Sequence, residues 1–554
     1  MNTLDSQPVP ASSNLPRISW AFLRRLLLAT TALVIAAAFF YGVENFRGSR
    51  ALSSELAEVK RLNIPVDLAS LVLPPVPDDQ NLAFSPPFDQ LRYPSRDARG
   101  SLTNFAEAQL WCDLSSISGA PNYPGVACTW AGTLMGTNTS SRRLNLREVA
   151  DYFRAPARLH KQHAQRTRAR YGLPVTSSTP NQPVPSGFPL PPNPGDPARD
   201  ILQALSLFDA DLATLAAGAR RPHFRFPIRY EDGISALLPH LPLLKRFAGI
   251  FTLRAIARME TGQADAALED FRTAWTFAES PKDEPLLISQ LVRYASLTTA
   301  LQPVWEGITR HHWAPAHLES IQQLLSTADM VPGIHRALAG ERVLIQSIVA
   351  MVLASAEGRR ELASMLDSLA TTTGGSEGGG WGSLYASWAP RGWLLASTAE
   401  ASKALRQIET ASPEQLLGLI NTWPPNPPSD SKRFLFYQTY FSQNNSDENL
   451  VHSILKGYRA QAQVRLAQTA CALERHRLST GAYPERLEDL VPRWIAAVPA
   501  DPIDQQPLRY RREDGDRFRL WSVAANARDD GGQQIVDKEV ALRAVDWVWA
   551  WPNP

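Results

Sequence analysis

Three groups of side chains in this chain could do chemistry. His311 and His312, with His317 beside Trp313 and Pro315, form the densest histidine group. Imidazoles titrate near neutral pH and bind metals. A zinc site, however, needs a fourth ligand and a scaffold that brings ligands from two sides. The plainer expectation is a helix end whose rings are satisfied by water and carbonyls. Asp265, Glu269 and Asp270 form the second group. Paired carboxylates can act as acid and base, but acids in a first helical turn are also favoured by the helix dipole, and that is the expectation here. Cys112 and Cys128 share a Gly-, Pro- and Trp-rich region and could pair across a short loop in an oxidising compartment. Cys471 is then left over, a small apolar residue on a long helix. Farther along, Asp529-Asp530-Gly531-Gly532 is an acidic turn of the kind that bonds its own backbone.

No phosphate-binding glycine loop, H-E-x-x-H, G-x-S-x-G elbow or Cys-x-x-Cys pair occurs. Lys and Arg number 56 against 54 Asp and Glu, so no global field points to nucleic acid. Hydrophobic residues at 44% and charged residues at 20% describe a globular chain. Its length of 554 residues allows several domains.

The positioning elements start at the N-terminus. Residues 1–25 read as a cytoplasmic lead carrying Arg17, Arg24 and Arg25. Leu26 to Val43 is apolar and uncharged, long enough to cross a bilayer as a signal-anchor over 26–43. Trp20 and Tyr41 would sit at its two interfaces. A cleaved signal peptide is the competing reading, because Ala36-Ala37-Ala38 offers a small-x-small site, although the apolar run continues through Phe39, Phe40 and Tyr41.

Residues 44–80 read as a stalk, with a short helix over Ser53–Arg61 and then prolines. A mixed region follows over 81–172; its part 146–171 reads as a basic helix with Val149, Tyr152, Phe153 and Leu159 on one side. Residues 173–197 are a proline-rich linker or surface excursion. Residues 198–370 form an α-helical array. Its sharpest unit is a helical hairpin that turns at Gly262 and carries Ala255, Ala267, Phe271 and Ala274 at packing positions. That unit resembles one tetratricopeptide-type hairpin, without a strict repeat. A Gly-rich break covers 371–382. In the aromatic-rich helical region 383–447, Trp388 and Trp393, with Trp381 just before it, either cap the array or face a ligand.

Residues 448–554 hold a long helix over about 448–478 and then a small α+β module. Gly481 stops the helix, and Pro484 opens a short one whose Leu487 and Leu490 face back. Leu508–Arg512 and Phe518–Val523 are paired strands around an Asp514-Gly515 turn. The tail places Trp547, Trp549 and Trp551 on one face, packed on the module or on the array. The fold class is therefore mainly α, with an N-terminal transmembrane helix and a small C-terminal α+β module.

Gly481-x-Tyr483-Pro484, Pro499-x-Asp501-Pro502, Pro507-x-x-Tyr510, Ser522 and Gly531-Gly532, in that order, resemble the C-terminal globular part of the major pseudopilin of type II secretion. The likeness covers about a tenth of the chain. It implies an extracytoplasmic packing module and a calcium loop after the last hairpin strand. Here the loop's two glycines are Ala524 and Ala527 and its aspartate is Asn526, leaving Asp529, Asp530 and Asp537 as the hard-oxygen ligands. Hundreds of residues separate the apolar segment from this module, so polymerisation like a pseudopilin is not expected. The expected protein is single-pass in a bacterial inner membrane with its body in the periplasm. It binds a protein or peptide partner and no nucleic acid, as a scaffold or secretion-associated factor. The alternatives are an envelope hydrolase with its site in the helical, Trp-rich region, or a purely structural stalk.

Overall fold

The computed structural model describes residues 20–67, 69–91, 143–155, 188–230, 236–360, 362–364, 388–411, 415–416, 418–419, 446–513, 516–533 and 546–551. Helix α1 runs unbroken from Trp20 to Arg61. It ends where Asn63 takes a left-handed φ of 55° and Pro65 follows. Its N-terminal half exposes Phe22, Leu27, Leu33, Ile35 and Phe39 and none of its most apolar window is buried, which is compatible with a membrane anchor. Two other stretches are long and apolar enough to span, Pro197–Gly218 and Pro315–Ala354, but these are partly drawn into the body.

The helix expected over Ser53–Arg61 is the C-terminal part of α1, and it lies along the body. The chain after it also packs: Pro65 offers its carbonyl to Arg342, Leu71 buries against Ala339 and Val343, and Asn81 bridges to His223. Helix α2 (Leu146–Arg154) is capped by Asn145 and buries Val149 and Phe153. It stops at Ala155, whose ψ of 147° is the extended geometry imposed before Pro156. The basic helix expected over 146–171 is described here only as α2, and its part from Pro156 on lies outside the described residues.

The array consists of α3 (Pro197–Leu205), α4 (Asp209–Gly218), α5 (His240–Glu260), α6 (Ala264–Glu279), α7 (Leu287–Ala300), α8 (Gln302–Thr309), α9 (Pro315–Ser326) and α10 (Val331–Ala354). Asp196 caps α3 ahead of Pro197. Helices α5 and α6 turn at Gly262, φ 76°, and bury Ala255, Ala267, Phe271 and Ala274 completely. Helix α11 (Arg391–Glu409) packs on α1 and α10.

Helix α12 (Ser446–Thr480) is the spine. It contacts α7, α8, α9 and α10 on one side and the sheet on the other, so it is buried nearly all round. Ala460, Ala462, Ala467, Ala470 and Ala472 let its neighbours approach closely. The helix ends at Gly481, φ 86°, whose amide bonds Arg477 O at 2.8 Å. The short helix expected from Pro484 is a 3-10 turn over Leu487–Leu490, with both leucines buried. Strands β1 (Arg509–Glu513) and β2 (Arg517–Ser522) pair antiparallel, with Tyr510 opposite Leu520. Strand β3 (Trp547–Trp549) adds antiparallel to β2, giving the order β1-β2-β3. The tail packs on both candidates: Trp305 Nε1 of α8 donates to Ala550 O at 2.9 Å, and the Trp551 ring meets Phe518. Asp514 and Gly515 lie outside the described residues.

Candidate binding cleft

The sequence-picked chemical groups do not converge. His311 Nδ1 faces Glu474 Oε1 at 2.9 Å, His317 Nε2 faces Asp265 at 2.8 Å, and His317 Nδ1 accepts from the Ala314 amide that opens α9. Burial lowers the His312 imidazole pKa. Carboxylates, rather than water and carbonyls, occupy two of these three rings. Among the described residues no group of three His, Cys, Asp or Glu side chains is arranged to hold a metal ion.

The acidic trio also diverges. Glu269 is exposed and pairs with Arg272. Asp270 is buried inside the α5–α6 hairpin, where Arg254 grips both its oxygens and Arg258 reaches one at 2.8 Å. It is an internal staple of two helices, not a solvated first-turn acid. The described segments also hold a serine–carboxylate–histidine chain, with Ser289 Oγ donating to Glu284 at 2.5 Å and His240 Nε2 facing Glu284 at 2.8 Å. Its order is wrong for nucleophile activation, because the carboxylate sits between hydroxyl and imidazole. Cys471 is buried and free, and burial raises its thiol pKa. Cys112 and Cys128, the expected disulfide, lie outside the described residues.

In the C-terminal module the motif residues are tied together. Glu474, fully buried, accepts from His311, from Arg477 at 2.7 and 3.0 Å, and from Tyr483 OH at 2.6 Å. Burial alone raises its pKa, but these donors outweigh burial and hold it below the usual carboxylate range. Tyr510 OH donates to Pro484 O at 2.7 Å. Asp501 accepts from the Ile503 amide (2.9 Å), the Val523 amide (2.8 Å), Ser522 Oγ (3.0 Å) and Arg509 (3.0 Å).

In the expected calcium loop, Asp529 accepts from Trp521 Nε1 (2.8 Å) and the Gly531 amide, and Asp530 accepts from Asn526 at 3.0 Å. Asp537 lies outside the described residues. These donors make a self-bonded turn. Beside the turn stands Asp546, buried, with one oxygen accepting from the Gly532 amide at 2.8 Å. Burial first, and then the Asp529 and Asp530 carboxylates, push its pKa up to about 6. A raised carboxyl pKa favours the protonated folded state, so folding stability falls as pH rises from the ordinary carboxylate range through about 6. Asp546→Asn should therefore raise stability by about 1–2 kcal/mol near pH 8, with the gain vanishing toward about pH 4. Thermal melts across pH read this directly. A gain that persists at the acid end would remove the assignment. The same melts repeated with calcium report whether a cation enters the turn.

A cleft among the described residues lies where α9, α12 and the Pro492–Pro499 loop meet. Its volume is about 570 Å³. Trp494 forms its wall, half-buried, with the Arg475 guanidinium 5.5 Å and that of Arg493 4.8 Å from its ring centre. The Trp494 carbonyl is held by Gln322 Nε2 at 2.8 Å. Arg475 is itself placed by Gln322 Oε1 (3.1 Å) and Glu319 (3.3 Å). Gln323, Ser326 and Gln468 add neutral polar groups. Across this loop the amides of Ala496, Ala497 and Val498 find no backbone acceptor among the described residues. The sequence signal for this cleft was an apolar W-I-A-A-V run enclosed between Pro492 and Pro499, short of any periodic element. No known protein family, curated protein or solved structure matches the chain.

Proposed function

We propose that this protein is a membrane-anchored binding protein of the bacterial envelope, its body exposed in the periplasm, and that the cleft takes an extended segment of a partner polypeptide. The observation that carries this is the Ala496–Val498 run of open amides beside the Trp494 wall. An extended peptide can offer carbonyls to such open amides while a flat apolar side chain lies on the indole. Arg493, exposed at the rim, suits a carboxylate on the same peptide. A tetratricopeptide-like packing of the array fits this role, since stacked helical hairpins commonly present peptide-binding surfaces. The pseudopilin-like order of the C-terminal motifs supports an envelope and secretion-associated setting.

The hydrolase alternative has less support. The cleft's carboxylate, Glu319, is paired with Arg475, and no nucleophile–base pair lines it.

The test is peptide-array binding by the intact chain in detergent, comparing wild type, Trp494→Ala and Arg493→Glu. Loss of a central tryptophan should weaken binding roughly 30-fold or more, the scale of an interface hot spot. Arg493→Glu should select against acidic peptides. Binding unchanged by either substitution would defeat the assignment of the cleft, and cleavage of the arrayed peptides would move the reading to the hydrolase.

A further inference from the structure

Helix α1 does not leave the body at the membrane. It runs parallel to α11, and α10 returns antiparallel, so three helices form a sheaf. The pairings fix their register: Glu44 Oε2 accepts from Trp393 Nε1 (2.9 Å), Asn45 from the Gly392 amide (2.8 Å) and Glu55 from Arg406 (2.8 and 2.9 Å), while Gln346 of α10 meets Ser402. At the membrane end, Tyr41 OH donates to the Trp388 carbonyl, the Phe40 and Trp393 rings meet edge-on at 6.2 Å, and Arg391 donates to Leu353 O at 3.0 Å. The C-terminal edge of the apolar span, the turn before α11 and the end of α10 therefore lie at one level.

That level carries an unusual surface. Trp388 is 71% exposed, and Phe46 on α1 is 66% exposed. Arg47, Arg50 and Arg391 are exposed there, and Arg359 and Arg360 lie in the helical residues 356–360 just after α10. Among the described residues of these segments the exposed carboxylate is Glu357, since Glu44 is buried against Trp393 and Arg47.

We propose that this end of the sheaf is a lipid-docking surface, with Trp388 seated among the headgroups and the arginines holding anionic ones. The surface is continuous with the exposed apolar length of α1, and its charge is complementary to anionic phospholipid. Tryptophan and arginine are the side chains that favour the membrane–water boundary. The body would then sit on the bilayer in a fixed orientation. This rests on α1 being inserted, and the test separates the two.

The full chain is reconstituted in vesicles of phosphatidylglycerol with phosphatidylcholine, and in phosphatidylcholine alone, with bromine on the upper acyl chain as quencher. The contribution of Trp388 is the difference between wild type and Trp388→Phe, which keeps the carbonyl bonded by Tyr41. The contribution of Trp20 is obtained in the same way and reports insertion. Trp388 emission should be quenched in the anionic vesicles, and Arg359→Glu with Arg360→Glu should lose most of that quenching. Quenching of Trp20 without Trp388 overturns the docking surface and leaves the anchor standing. Quenching of neither overturns both. Trp388 quenching that is equal in neutral lipid and in the charge-reversed variant overturns the role of the arginines, and with it the proposal.

Discussion

Asp501→Ala should cost about 3–5 kcal/mol and loosen the 499–503 loop from the end of β2. Asp501 is fully buried and serves four donors: two amides, a hydroxyl and a guanidinium. Removing its carboxylate leaves the Ile503 and Val523 amides without an acceptor in a site water does not reach, and leaves Ser522 Oγ to its other acceptor, Val523 O at 3.1 Å. Each such orphan costs about 1–3 kcal/mol, whereas the bond itself is worth less. Burial raises the Asp501 pKa against the pull of those same donors, so alanine also removes an unfavourable desolvation and the sum lands below two full orphans. Asp504→Ala is the control. Asp504 is partly exposed and shares Arg509 with Asp501, so its loss should cost about 1 kcal/mol or less. Denaturant unfolding of the intact chain in detergent measures both. An Asp501→Ala loss no larger than that of Asp504→Ala would show that the loop is held by its prolines and packing instead.

This knot also marks how far the sequence could be read. Pro499-x-Asp501-Pro502 and Ser522 stand out as motifs, and the strands around them follow from alternation at Phe518 and Leu520, each displaced by one residue, β1 later and β2 earlier. Trp547 and Trp549 alternate inward as strand residues should, and Gly262 and Gly481 stand where left-handed backbone was needed. These features are local. Each depends on neighbours a few positions away, where periodicity and turn chemistry carry the information.

What escaped depends on partners far along the chain. Asp270 reads as a dipole-favoured acid until Arg254 and Arg258 of the preceding helix close over it. Glu44 and Glu55 look like ordinary exposed charges after an apolar span. They are buried because Trp393 and Arg406, on a distant helix, supply their donors. The cleft is less legible still. Trp494, Arg475 and Gln322 come from three separate segments, and none belongs to a spacing that asks for the others.

Gly48→Leu should detach the body from α1 while both remain folded. A Cβ built on Gly48 would fall 2.0 Å from Gly392 O, and one on Gly392 would fall 1.9 Å from Glu44 O. Those obstacles are main chain, so no rotamer relieves them, and the helices must separate by more than an ångström. Overpacking of this kind costs about 1–3 kcal/mol by itself. Separation also strips Glu44 of Trp393 and Glu55 of Arg406, and losing one side of a buried ion pair adds a comparable or larger amount. The α1–α11 contact is joined to the rest through Arg342, which links Glu409 at the end of α11 to the Pro65 carbonyl beyond α1, so partial separation gains little. Gly42→Leu is the matched control, because a Cβ there meets nothing within 4 Å. Hydrogen exchange of the intact chain in detergent should show residues 44–61 losing protection in Gly48→Leu and keeping it in Gly42→Leu, with α5 and α6 unchanged in both. Equal protection in the two variants would mean that the glycine crossing does not hold the body to α1, and a rigid seat on the membrane would then need another cause.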